Sequence, residues 1–210
     1  MISLKVENLR KKFNTKTVFE GFSFEHNSGM LGIAGSNGSG KSTLLKCLAY
    51  LLRPNFGSIV WKNHEHLMNQ KQVKKHIGYA APYINLYAEL SVEENLIFLM
   101  EASGDKAETE KIHALLERVQ IPHLREQLFG NLSTGQQQRA KLAAALVHEP
   151  EILMLDEPGS NLDEKGHELV TSIVKTEAEK GTLVFLASND PNEIELCNKV
   201  VNIGDSVTVR

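Results

Sequence analysis

Three short runs of apolar residues punctuate the chain: Met30-Leu-Gly-Ile-Ala34, Ile152-Leu-Met-Leu155 and Leu183-Val-Phe-Leu-Ala187. Runs this short, apolar throughout and without polar alternation, predict strands covered on both faces, as in a parallel sheet flanked by helices. Elsewhere the spacing is helical. Leu44, Leu45, Leu48, Leu51 and Leu52 recur at i, i+1, i+4, i+7 and i+8, and Pro54 closes the segment, so a helix is predicted over 41–52. Ser91-Val-Glu-Glu94 has the form of a capping box opening a helix to about Ser103. Ile112, Leu115, Leu116 and Val119 mark another helix that ends before Pro122, and a further helical pattern covers 163–180. Residues 2–27 alternate loosely, and Gly204-Asp205 predicts a final hairpin turn. The pattern is a parallel α/β sheet interrupted by a helical insert at about 88–148.

Composition narrows the class. With 210 residues, 41% apolar and 23% charged, the chain has the make-up of one ordinary globular domain. Apolar stretches such as Leu96–Met100 and Leu183–Ala187 fall far short of the ~20 residues of a membrane-spanning helix. The opening segment MISLKVENLRKKF has no apolar core of a secretory signal, so a cytoplasmic location is expected. A net charge of −3 provides no basic field, and nucleic acid is not expected as a partner. Cys47 and Cys197 show no CxxC spacing and are read as inert thiols. His64-Glu-His66 lacks a third ligand at a zinc spacing and is read as a solvated loop, and Lys71, Lys74 and Lys75 as a solvated helix face.

Chemistry enters at Gly35-Ser36-Asn37-Gly38-Ser39-Gly40-Lys41-Ser42, which matches GxxxxGK[ST] and lies between a predicted strand and a predicted helix. Glycines let the backbone wrap a polyphosphate, and amides at a helix N-terminus favour negative charge. Lys41 is expected to reach the β and γ phosphates and Ser42 to ligate Mg²⁺, with Thr43 completing the nucleotide-binding segment. Asp156 and Glu157 follow a buried strand, at the edge where open α/β sheets bind ligands. Asp156 suits the Mg²⁺ site, and Glu157 suits a general base for water attacking the γ phosphate.

Leu132-Ser133-Thr134-Gly135-Gln136, whose Gly135 lies 21 residues before Asp156, forms a capping box by itself but also resembles the signature motif of ATP-binding-cassette (ABC) ATPases. Other marks of that family align: Phe13 at the aromatic position that stacks on adenine, Ser160-Asn-Leu-Asp163 after the catalytic glutamate, and Ser188-Asn189-Asp190 at the switch loop. The resemblance covers the whole chain. It implies a P-loop, RecA-like parallel sheet core (1–87 and 149–210) with an N-terminal antiparallel β subdomain and a helical signature subdomain (88–148). It also implies an ATP- and Mg²⁺-dependent ATPase that pairs head to tail with a second nucleotide-binding domain, a homodimer, and drives transmembrane permease subunits from the inner face of the membrane. Ser133, Gly135 and Gln136 would then meet the γ phosphate of the partner's ATP. Thr134 stands where glycine is commonest, and its side chain must face away from phosphate. Two further positions depart from the family. Pro82 replaces the usual glutamine, with Tyr83 and Asn85 the neighbouring polar side chains, and Asn189 replaces the switch histidine, which leaves one neutral donor. Leu86-Tyr87 through Glu94-Asn95-Leu96 is similar to the haem-exporter-like ATPase subunits. A soluble ABC ATPase of the Fe–S assembly type, or a degenerate module that closes on ATP with slow turnover, are the alternatives.

Overall fold

A computed structural model describes residues 1–203 and the backbone of 208–209. The elements in chain order are β1 (Ile2–Phe13), β2 (Lys16–His26), β3 (Met30–Ala34), α1 (Lys41–Leu48), β4 (Phe56–Asn63), β5 (His66–Leu67), α2 (Gln70–Lys75) and β6 (Ile77–Ala80). Then follow α3 (Val92–Ala102), α4 (Thr109–Arg118), α5 (Thr134–Leu146), β7 (Ile152–Asp156), α6 (Glu164–Glu179), β8 (Leu183–Ser188), α7 (Pro191–Glu195), β9 (Lys199–Asn202) and β10 (Thr208–Val209).

Two sheets result. One is antiparallel in the order β2-β1-β4-β5; the other has the order β10-β9-β3-β8-β7-β6, with parallel pairing from β9 through β6. The parallel strands separate two apolar clusters because their side chains alternate. Leu153, Leu155, Val184 and Leu186 face the cluster filled by α3, α4, α5 and α6. Ile152, Met154, Phe185 and Ala187 face α1 and the antiparallel sheet, whose Phe22, Phe24 and Trp61 complete that side. Burial on both sides explains why β7 and β8 read as unbroken apolar runs.

The capping box at Ser91 is present as expected: Glu94 N donates to Ser91 Oγ at 3.1 Å and Ser91 N to the Glu94 carboxylate at 2.7 Å. The helix expected over 41–52 is shorter, ending at Leu48. Tyr50 takes a left-handed φ of 53°, and its hydroxyl donates to Ile59 O at 2.8 Å, which turns the chain into β4. Leu51, counted as a buried position by its spacing, is therefore 54% exposed. β9 and β10 pair antiparallel, but the expected Gly204-Asp205 turn lies outside the described residues. Among the described residues no helix is long and apolar enough to cross a membrane.

Candidate nucleotide site

The register of the parallel sheet decides which loops meet. Ala34 lies beside Ser188, Ala187 beside Asp156, and Leu155 beside Ala80. The loops after β3, β8, β7 and β6 therefore all leave the same C-terminal edge, side by side. They carry, in turn, the glycine loop, Asn189, Glu157 and Pro82.

The glycine loop is shaped by contacts that a Cβ would destroy. Gly40, the residue before α1, has φ of 113°, and a Cβ there would collide with Val18 of β2. With no side chain capping α1, its first-turn amides stay available to an anion. Lys41 is 5% exposed and folds back over this loop, donating to Gly35 O at 2.9 Å and Ser36 O at 3.4 Å. It also pairs with Glu157 Oε1 at 3.0 Å. Phe13, Thr17, Val18, the 36–43 segment, Glu157 and Ile203 line a cavity of about 700 Å³ over the loop. Phe13 is 47% exposed at its rim, with the Lys11 ammonium 4.8 Å from the ring centroid. Lys16, Thr17, Val18 and Ile203 carry no motif in the sequence, and only the fold brings them to this cavity.

The two carboxylates after β7 differ sharply. Asp156 is 1% exposed, and neither of its oxygens closes a hydrogen bond. Burial raises its pKa; Ser42 approaches and opposes the rise, Glu157 adds to it, and Lys46 and Lys41 weaken it. Glu157 is half-buried, and its backbone is held at a left-handed φ of 49° while its N–H donates to Ala187 O at 2.8 Å. A non-glycine residue in that region marks a strained turn of the kind that gathers at functional sites.

A second cavity, about 550 Å³, shares Asn37 and Glu157 with the first and is lined also by Pro82, Gly159, His167 and Asn189. Asn189 donates to Asn37 Oδ1 at 3.0 Å, so the switch loop is tied to the glycine loop. His167 stands 3.8 Å from both Asp190 and the buried Glu193, whose pKa burial raises.

Ser133, Gly135 and Gln136 open α5 and are not brought to the glycine loop of their own chain. Ser133 is exposed and shares a capping box with Gln136, whose N–H donates at 3.4 Å. Thr134 is exposed too, and Gly135 faces Asn161 O, where an added Cβ would stand 3.3 Å away. Asp163 caps α6 through Gly166 N at 2.9 Å and lies 3.8 Å from Arg139. Both Cys47 and Cys197 are shielded, with burial pushing their thiols up to about 11 and about 12, which keeps them unreactive.

The residues fit a divalent cation and a triphosphate. Asp156 supplies two buried oxygens without donors, Ser42 a hydroxyl beside them, and the loop a cradle too tight for side chains at Gly40. The fold and this edge define a P-loop nucleotide-binding cassette. The family model described as ABC transporter matches residues 19–160. The chain is 31% identical over 200 residues to the probable multidrug ABC transporter ATP-binding protein YbhF of Escherichia coli, across 94% of this chain and 35% of that protein. To the probable sulfate/thiosulfate import ATP-binding protein CysA of Chlorella vulgaris it is 32% identical, across 95% and 86%. It thus spans about a third of YbhF and most of that CysA. Among solved structures, a putative ABC transporter ATP-binding protein from Pyrococcus furiosus superposes with a TM-score of 0.83 at 28% identity, covering 98% and 100%. A dimeric ATP-binding cassette bound to ADP and Pi shares the fold at a TM-score of 0.84 and 23% identity, covering 96% and 94%. The chain belongs to the ABC transporter family, as an ATP-binding cassette.

Proposed function

We propose that the protein is the Mg²⁺-dependent ATPase subunit of an ABC transporter. Its cassette binds ATP on the 35–43 loop, pairs with a second nucleotide-binding domain, and drives permease subunits at the membrane. The single observation that carries the reading is the Lys41–Glu157 pair at 3.0 Å over the glycine loop, beside the orphaned Asp156 carboxylate.

That pair has a consequence for the chemistry. Lys41 spends its charge on Glu157 and on two loop carbonyls. A bound triphosphate is a stronger partner for a lysine than a single half-buried carboxylate, so Lys41 turns to the β and γ phosphates and releases Glu157. Glu157, freed of its counter-charge, becomes the general base that orients and deprotonates the attacking water. When bound, Mg²⁺ would neutralise charge on the phosphates. Ser42 and Asp156 would hold it. Phe13, at the cavity rim, is placed to stack on the base, and Asn189 donates to the γ phosphate in exchange for its bond to Asn37. Ser133, Gly135 and Gln136 serve the nucleotide of the partner domain.

Lys41→Ala and Asp156→Asn test the reading. Each removes one part of the charge compensation, so ATP turnover should fall at least a hundredfold, and for Lys41→Ala the ATP affinity should fall too. Calorimetry for binding and phosphate release for turnover are the measurements; unchanged values in both variants would discard the site.

A further inference from the structure

The second cavity holds side chains that the nucleotide chemistry leaves unused. His167 sits in the first turn of α6, while Asp190 and Glu193 stand before and inside α7, just past β8. One ring nitrogen and one oxygen from each carboxylate gather there, all within 4.8 Å of one another. His167 Nδ1 stands 3.8 Å from Asp190 Oδ2 and 3.8 Å from Glu193 Oε1, too far for a hydrogen bond to either.

Glu193 is the residue that asks for a ligand. It is 5% exposed, and its Oε1 is buried without a hydrogen-bond partner. A carboxylate oxygen taken from water and left without a donor is costly, and a second carboxylate beside it adds to the cost. Gly159 shows where that oxygen points. A Cβ on Gly159 would collide with Glu193 Oε1 and stand 2.6 Å from His167 Nδ1, so both atoms converge on the gap that the missing side chain leaves. Asp190 is aimed by the helix it caps. Its Oδ1 accepts from Asn192 N at 2.9 Å and from Asn192 Nδ2 at 3.1 Å, which leaves Oδ2 turned to the imidazole. Among the described residues no lysine or arginine lines this cavity, and its remaining carboxylate, Glu157, is paired with Lys41. His167 is part-exposed, which gives an ion a route in from solvent.

We infer that His167 Nδ1, Asp190 Oδ2 and Glu193 Oε1 form a cation site of the zinc class, separate from the cation that Asp156 and Ser42 would hold with ATP. One imidazole nitrogen and two carboxylate oxygens are ligand types that zinc takes, with water in the fourth position. Mg²⁺ prefers oxygen ligands and gives up its own water reluctantly, so it competes poorly for this set. A bound dication neutralises both carboxylates and clamps α6 to the turn after β8.

Titration calorimetry with Zn²⁺ on the full chain, stripped of metal and free of nucleotide, tests the site. The wild type should take up one Zn²⁺ with a Kd in the micromolar range or below. Glu193→Gln keeps the buried shape and removes the charge, and His167→Ala shortens a part-exposed side chain, so both variants should melt close to the wild type in EDTA. Each should bind Zn²⁺ about tenfold more weakly or worse. In thermal melts, Zn²⁺ at roughly a hundred times its Kd should raise the wild-type midpoint by about 5 °C or more, and that of the two variants by much less. Asp156→Asn should keep the wild-type Zn²⁺ affinity within twofold. His64→Ala, which removes the ring that meets the chain's amino terminus at 2.7 Å, should do the same. Undiminished Zn²⁺ affinity in both His167→Ala and Glu193→Gln overturns the site, as does a wild type that takes up no Zn²⁺ in this range. Loss of binding in Asp156→Asn or His64→Ala, with the other two variants unaffected, also overturns it, by placing the ion at the nucleotide site or the chain's start.

Discussion

Asp156 and Glu157 are adjacent in sequence yet live in different media, one sealed between strands and the other turned out by a left-handed backbone toward Lys41. The same contrast between a sealed group and a reaching one governs Asn189 and His26. Asn189 is exposed, and its one cross-loop bond, to Asn37, is all that ties the switch loop to the glycine loop through side chains among the described residues. Asn189→Ala should lower ATP turnover by about 10² to 10³ while ATP affinity changes much less, because the loss of one donor to developing charge costs about that much. Phosphate release and calorimetry measure the two; an Ala variant as fast as the wild type would make Asn189 a bystander. His26 is the sealed case. It packs edge-on against Phe185 with ring centroids 5.1 Å apart, and burial lowers its pKa to about 4. Between that value and the ordinary 6.5 the folded protein binds fewer protons than the unfolded chain, so stability is full above 6.5 and is lost as pH falls toward 4. The contribution is at most roughly 3 kcal/mol, and His26→Leu should flatten that part of the stability profile. Urea denaturation at several pH values between 7 and 4 would show the change in slope.

At the scale of elements, the site is held by packing between strands and helices that are distant in sequence. Gly78 of β6 is the clearest case. A Cβ there would collide with the carbonyl oxygen of Ala145 in α5 and stand 2.8 Å from Pro150 Cγ. Backbone cannot rotate out of the way as a side chain can, so Gly78→Ala must push α5 from the sheet, at a cost of about 1–3 kcal/mol or more. A lower thermal midpoint, together with reduced ATPase activity because Ser133 caps α5, is the expected outcome; circular dichroism melts and phosphate release check it. The elements themselves were largely legible: β7 and β8 because both faces are covered, α3 because its cap is written at Ser91, and α6 because its apolar positions keep a helical spacing. α1 was overextended because the leucine spacing continues past Tyr50, whose left-handed turn is set by a bond to β4 that no local pattern encodes. Lys41, Ser42, Asp156 and Glu157 were legible as candidates because their spacing between strand and helix carries the chemistry. The His167, Asp190 and Glu193 cluster was not, since α6 and the turn after β8 meet there only after the sheet has formed.

The whole molecule divides its labour between the edges of one sheet. A mixed-charge cavity of about 630 Å³, crossed by the Arg118–Glu177 pair at 2.7 Å, lies beside Thr182 at the start of β8, on the edge away from the glycine loop. The nucleotide-binding loops crowd the other edge, while the residues that begin α5 sit outside their cavity and lean on the segment after Glu157 through Gly135 and Asn161. Ser133 is exposed and takes part in its own capping box, and on the function proposed above the phosphate it serves belongs to a second molecule. Blocking the chemistry should trap that encounter. Glu157→Gln keeps the size of the side chain but cannot accept a proton, so ATP should bind and persist, and two copies should remain closed on two nucleotides. Light scattering after size-exclusion chromatography should show a doubling of mass with ATP and none with ADP. Adding Ser133→Arg to the same background places a bulky side chain where the partner's phosphate must approach, and should return the protein to a monomer with ATP still bound. A Glu157→Gln protein that stays monomeric at high concentration with saturating ATP, or a double variant that dimerises as well as the single one, would count against α5 acting across the interface.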